Sequence, residues 1–202
     1  MNKLILGNLV HRPLRSLISA FAVAIEVIMI LSVVAIFYGI LNGSRTQTTG
    51  IGMDMLVHPG AATAMMMSSS ASADVRIAKV LGSLPHVQVV APVNIKFTLG
   101  SSPENIYGID FASYNALRPF VFVAGGPFKA PYDILIDDLQ ARAGKGTKVG
   151  DPVKVLNHTF TVCGIVEHGK GARKYIQLET MDAIDNNPGK ASLFYLRTQD
   201  QP

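Results

Sequence analysis

From Leu17 to Leu41 the chain reads LISAFAVAIEVIMILSVVAIFYGIL, an apolar run whose only charge is Glu26. At 1.5 Å per residue it gives roughly 37 Å of helix. That exceeds the roughly 30 Å hydrocarbon core of a bilayer, so the pattern predicts a tilted transmembrane helix over residues 16–42. A cleaved signal peptide has a shorter apolar region, about 7–15 residues, closely followed by a small-x-small site. Here the run leads into Gly39-Ile40-Leu41-Asn42-Gly43-Ser44-Arg45, and the nearest good triplet, Ala71-Ser72-Ala73, lies far downstream. An uncleaved anchor is therefore expected. Before the run, Leu4, Ile5, Leu9 and Val10 alternate with Asn2, Lys3, Asn8 and His11. Pro13 can then open a helix, since proline is tolerated in a first turn. Residues 1–15 thus fit a cytoplasmic amphipathic elbow at the membrane surface, and a frayed terminus fits them almost as well.

Beyond residue 43 the period shortens. Met53 to His58 reads as a strand, and residues 60–73, with AATAMMMSSSASA at their centre, as a flexible low-complexity loop. Val75, Ile77, Ala78, Val80, Leu81 and Leu84 recur at helical spacing behind Asp74, a natural N-cap. Strands are predicted at Val87–Val90, Val93–Leu99, Asn105–Ile109, Tyr132–Ile136, Val153–Leu156, Thr159–Val166, Tyr175–Leu178 and Leu193–Arg197. A hairpin turn is predicted at Asn157-His158. Short helices are predicted after Asp110, after Asp137 or Asp138, and at Thr180–Ile184. Strands and short helices interleave without strict βα alternation, which predicts an α+β domain over residues 43–202.

Composition adds a direction and a compartment. Lys3, Arg12 and Arg15 precede the span, and Arg45 is the only basic residue soon after it. The positive-inside bias then leaves the N-terminus cytoplasmic and the domain extracytoplasmic. The net charge of +4 comes without basic runs. The densest cluster, Lys170 to Lys174, is short and reads as part of a polar loop, which argues against nucleic-acid binding. One cysteine, Cys163, allows no internal disulfide and sits in an apolar strand, as a buried core thiol would.

Catalytic patterns are missing. Gly144-Lys145-Gly146-Thr147 and Gly169-Lys170-Gly171 lack the spacing of a phosphate-binding loop. His11, His58, His86, His158 and His168 are scattered rather than grouped as metal ligands. The Asp137-Asp138 pair is explained by helix capping, and there is no nucleophile elbow. No catalytic residue, cofactor or metal is expected on this chain.

Glu26 is the one ionisable residue of the span. A carboxylate near the bilayer centre costs roughly 2–3 kcal/mol on insertion scales, so it is expected to pair or to face protein. Ser19, Ala22 and Val23 share its face. Ser16, Ala20 and Ala24 form a second row of small residues, and Gly39 and Gly43 a third, all surfaces where another helix could approach. Glu26 also fits a passenger carried without a partner in a strongly apolar helix.

Read in order, these segments resemble the permease subunits of the MacB/FtsX/LolC class of ABC exporters. Asn8-Leu9-Val10-His11-Arg12-Pro13-Leu14-Arg15-Ser16-Leu17 is similar to that family's entry into its first span, and Gly39 to Gly43 to its glycine-marked exit. Met53-Asp54-Met55-Leu56-Val57 is similar to the first exported strand. Leu84-Pro85-His86-Val87-Gln88-Val89-Val90-Ala91-Pro92-Val93 resembles a "lpgV..v.PV" segment, with His86 where glycine is commoner. Ile106 to Asp110, Lys148 to Val153 and Phe160 to Val166 resemble its "v.Gvd", "vGd.v" and "f.VvGi" segments. The resemblance implies a MacB-like periplasmic core domain and an inner-membrane location. It implies a cytoplasmic ABC ATPase subunit that supplies ATP hydrolysis, a second permease copy, and a periplasmic adaptor or lipoprotein as partners. A complete member has three further spans, whereas no second apolar run occurs before Pro202. The expectation is a permease cut at the domain end, a truncated reading frame or a split-gene product. The alternative function is a single-span interaction module that displays a binding domain without transport. An anchored enzyme is disfavoured for want of a catalytic constellation.

Overall fold

The computed structural model describes residues 13–59, 73–99, 103–143 and 146–199. Lys3 and Arg12, residues 1–12 of the expected elbow, and residues 60–72 of the expected loop lie outside this set. The chain divides into two units, one ending at Arg45 and the other starting at Thr46.

Helix α1 spans Pro13–Ile51. In the first unit, Leu17, Phe21, Ile25, Ile28 and Phe37 are each more than half exposed. A helix that is apolar on every side belongs in a bilayer or against other helices. Its stretch Pro13–Gly43 has the length and composition of a membrane span. Ser32 returns its hydroxyl to the Ile28 carbonyl at 2.8 Å, which hides that polar group within the helix's own backbone.

The second unit is built on strands β1 Met55–Val57, β2 Ala73–Asp74, β3 Val87–Leu99, β4 Pro103–Ile109, β5 Phe122–Gly125 and β6 Asp133–Asp137. Then come β7 Pro152–Val155, β8 His158–Val166, β9 Lys174–Gln177, β10 Lys190–Ala191 and β11 Leu193–Thr198. Among the described residues, four short helices accompany them: α2 Ile77–Gly82, α3 Phe111–Leu117, α4 Asp138–Arg142 and α5 Leu178–Ile184. The main sheet runs β1-β11-β3-β4-β9-β6-β8-β5, with β7 paired to β8, while β2 and β10 form a separate ribbon. The β4–β9 and β6–β8 pairs are parallel and the rest antiparallel, so the sheet is mixed.

Strand alternation sorts the core. Tyr107 and Ile109 of β4, Leu135 of β6, Tyr175 of β9 and Tyr195 of β11 face one cluster, completed by Tyr114 and Leu117 of α3. Their neighbours Ile106, Ile134, Ile136 and Ile176 face a second, completed by Ala141 of α4 and Met181 of α5. Phe194 and Leu196 face a third beneath Ala78 and Leu81 of α2. Central strands buried on both faces read as continuous apolar runs, as Ile134-Leu135-Ile136 does. Asn94, buried on β3, donates to Asp182 at 3.1 Å and accepts from Ser192 at 2.6 Å, linking α5 and β3 to the residue just before β11 without an orphaned group.

Three local expectations are corrected. The two strands predicted at Val87–Val90 and Val93–Leu99 are one strand, β3. Pro92 is tolerated because pairing with β4 begins only at Val93, so its missing N–H costs no bond to that neighbour. The hairpin turn is Leu156-Asn157, not Asn157-His158, with positive φ of 50° and 63° and Val155 paired to His158. Leucine there costs about 1–2 kcal/mol, offset by packing Leu156 against the second cluster. A one-residue slip would turn Phe160 and Val162 out of that cluster. Asp74 lies in β2 and accepts from the Arg76 backbone N–H at 2.9 Å, so α2 starts later than its position implies. Asp110 and Asp137 cap as expected, accepting from Ser113 at 3.0 Å and Gln140 at 2.6 Å.

Candidate functional site

The last turn of α1, from Thr46 on, belongs to the domain unit, and its final residue enters the core. Ile51 is 3% exposed and packs in the cluster of Tyr107, Tyr114 and Tyr175. Gly50 is there because nothing larger fits: a Cβ at this position would overlap the carbonyl oxygen of Gly169. Gly171, with φ of 93°, holds its backbone so close to Ile51 that an added Cβ would lie 2.9 Å from Ile51 Cδ1. Gly52, with φ of 76°, turns the chain away from the helix and lies against Arg118 and Leu117. The Arg118 guanidinium donates to the Thr49 carbonyl at 3.5 Å. The helix foot is thus gripped between the 169–172 loop and the end of α3.

Lys170 lies at the centre of this grip. Its side chain is buried; the ammonium donates to the Arg118 carbonyl and lies 4.1 Å from the centroid of the Phe120 ring. Its own carbonyl accepts from the Tyr114 hydroxyl at 2.6 Å, and the Tyr175 hydroxyl lies 2.8 Å from it and 2.7 Å from the Ala172 carbonyl. The Ala172 N–H donates back to Tyr175 at 3.3 Å, and Tyr195 donates to Tyr107 at 3.4 Å. Burial raises the pKa of all four tyrosines, so they remain hydroxyl donors. Burial, with the Arg118 guanidinium adding to it, lowers the Lys170 ammonium to about 8, while the Phe120 ring face favours its charged form. The expected polar loop at 170–173 is therefore a partly buried structural element. The readable signal was the lysine set between two glycines, a pattern for close backbone approach as much as for a solvated turn.

The chemistry here is mechanical. Buried, mutually bonded groups on the 169–172 loop, α3, β4, β9 and β11 fix the end of one helix, and a packed interior of this kind transmits displacement with little slack. Elsewhere, Asp138 accepts from the His168 ring at 2.8 Å and pairs with Arg142 at 3.1 Å. Burial pushes that carboxyl up, but these contacts hold it below the usual range. With Asp137 spent on its cap, the pair makes a structural corner. Cys163 is half-buried rather than fully so; its thiol faces the Ile134 carbonyl at 3.4 Å, and burial pushes it up to about 12. Among the described residues no group of three or more His, Cys, Asp or Glu is placed to hold a metal. Clefts open on the domain among the described residues. One of about 680 Å³ is lined by Phe111, Phe128, Leu178 and Glu179, and one of about 630 Å³ by Thr49, Asp54, Arg118 and Arg197.

The span residues singled out by sequence lie along α1. Arg15, Ser19, Ala20, Ala22, Ala24, Glu26, Gly39 and Gly43 are all exposed, and a Cβ at either glycine would meet nothing within 4 Å. Phe120 is buried in the first core cluster, with Phe122 and Phe128 packed against it, and Phe128 also lines the cleft of about 680 Å³.

Fold and junction together define a membrane-anchored α+β domain whose core receives the end of its apolar helix. The family model for the MacB-like periplasmic core domain matches residues 16–201, and the chain belongs to that family, carried by permease components of ABC transporters. The crystal structure of the periplasmic region of MacB from Actinobacillus actinomycetemcomitans is similar in fold, with TM-score 0.56 and 15% identity over 75% of this chain and 78% of that one. So is the extracellular domain of the noncanonic ABC-type transporter YknZ from Gram-positive bacteria, with TM-score 0.54 and 14% identity over 72% and 82%. Comparison with curated proteins gives no match.

Proposed function

We propose that the chain acts as a permease component of an ABC transporter. In this reading the span sits in the inner membrane with its N-terminus cytoplasmic. A separate cytoplasmic ABC ATPase hydrolyses ATP, a second permease copy pairs with this one, and α1 carries the resulting displacement into the periplasmic domain for export or lipoprotein handling. An adaptor or lipoprotein is the expected extracytoplasmic partner. The observation that carries the reading is the seating of Ile51 and Gly50 in the domain core. A module that only displays a binding surface works on a flexible linker, which transmits no displacement. Glu26, with the rows Ser19 and Ala22, Ala20 and Ala24, and Gly39 and Gly43, supplies the faces on which partner helices pack.

The test is hydrogen exchange of the 169–172 loop in the complete native complex. ATP binding should change its protection, and Gly-Ser residues inserted after Ser44 should abolish that response while leaving membrane insertion intact. A loop indifferent to nucleotide in the unmodified complex would leave the interaction module as the function. Glu26→Leu should weaken co-purification of the second permease copy; unchanged co-purification and transport would remove Glu26 from the packing surface.

A further inference from the structure

The cleft of about 630 Å³ beside the helix foot is cationic in a way the coupling role does not require. Arg118 and Arg197 both line it and both are exposed. Each guanidinium is oriented by one main-chain carbonyl: Arg118 by Thr49 at 3.5 Å, Arg197 by Leu117 at 2.8 Å. A guanidinium has five N–H donors in a rigid fork, so the remaining donors of both stay available to a ligand. The cleft's carboxylate, Asp54, is engaged by the Thr198 N–H at 2.8 Å and the Thr198 hydroxyl at 3.3 Å. The buried Lys170 ammonium, on the Arg118 carbonyl, adds positive potential behind the wall. Two forks held on backbone carbonyls around a cavity of small-molecule size are the chemistry that grips a phosphate group.

Chain connectivity says where such a phosphate would come from. Thr49, in the cleft wall, follows Gly43, the end of the candidate span, by six residues. At no more than about 3.5 Å per residue, that tether keeps the wall within roughly 21 Å of the span end, whatever path the chain takes. Lipid headgroups fill the first several Å outside the hydrocarbon core, and a tethered site meets them at a high effective concentration.

We propose that this cleft binds the phosphate of an anionic phospholipid headgroup at the outer surface of the membrane that α1 spans. Arg118 and Arg197 grip the phosphate oxygens, and the lipid braces the base of the domain beside the helix foot. The inference rests on reading α1 as an anchor, so flotation of the full chain with lipid is checked first; a chain that fails to float sinks the anchor, not the cleft.

The test is thermal unfolding of the full chain in nanodiscs of phosphatidylcholine alone and of phosphatidylcholine mixed with phosphatidylglycerol. The mixed discs should raise Tm, and high salt should erase the gain. R118Q/R197Q should lose most of the gain. R118K/R197K, which keeps the charge, should retain part of it and guards against a variant that fails to fold. K154Q, on exposed β7, should keep all of it. Equal Tm values in the two discs for the unmodified chain would overturn the proposal, as would a loss in K154Q matching that in R118Q/R197Q. A gain from inorganic phosphate in detergent without one from phosphatidylglycerol would also overturn it, because the ligand would then be a soluble phosphate.

Discussion

Gly50→Ala should destabilise the domain, against the usual rule for a helix. Replacing glycine by alanine inside a helix ordinarily gains up to about 1 kcal/mol by reducing the freedom of the unfolded chain. At Gly50 the new methyl would overlap the Gly169 carbonyl oxygen, a backbone atom with no rotamer to escape into. Relief requires moving the loop that carries the Lys170 carbonyl, which accepts from Tyr114 at 2.6 Å and faces Tyr175 at 2.8 Å. Overpacking a rigid site costs about 1–3 kcal/mol, and weakening one buried hydrogen bond adds about 1 kcal/mol. Set against the helix gain, the net loss is about 2 kcal/mol. For a domain of this size that is a fall of about 4–8 °C in Tm. The assay is thermal unfolding of the purified full chain in detergent, followed by circular dichroism. Gly82→Ala is the internal control: it lies in α2, and its added Cβ would sit 3.9 Å from Val90, an ordinary contact, so it should be neutral or slightly stabilising. If Gly50→Ala melts at or above the unmodified chain while Gly82→Ala behaves as expected, the close approach at the helix foot is wrong.

Other outcomes follow from the same site. The Lys170 ammonium titrates near 8 when folded and near 10.5 when not, so the unfolded chain binds more protons between those values. Stability should therefore rise as pH goes from about 8 to about 10.5, and Lys170→Met should flatten that rise in denaturant titrations run across the window. Tyr175→Phe leaves the Ala172 N–H without its acceptor and should cost about 1–3 kcal/mol in urea unfolding. Tyr132→Phe, on a half-exposed ring, should stay within about 0.5 kcal/mol. With its thiol near 12, Cys163 should react with maleimide far more slowly in the folded chain than in denaturant at neutral pH; equal rates would contradict its burial.

The span needed no tertiary information, because length and apolarity are properties of a segment. Its direction rests on Lys3, Arg12 and Arg15, of which Arg15 alone lies among the described residues. The α+β class was equally legible, since strand alternation and the caps at Asp110 and Asp137 are encoded within a few residues. The 169–172 loop shows where that legibility stops. As sequence, Gly169-Lys170-Gly171 is a polar turn that opens the chain's densest basic cluster. Its meaning depends on Gly50 and Ile51, more than a hundred residues earlier, and on Tyr114 and Tyr175 arriving from different elements. Likewise the turn at Leu156-Asn157 was displaced from its local preference by the need to keep Phe160 and Val162 inside. Local rules determined which segments are helix, strand and anchor. Close backbone approach and burial, which depend on residues far apart in the chain, were decided by the tertiary structure alone, and the candidate site is made of both.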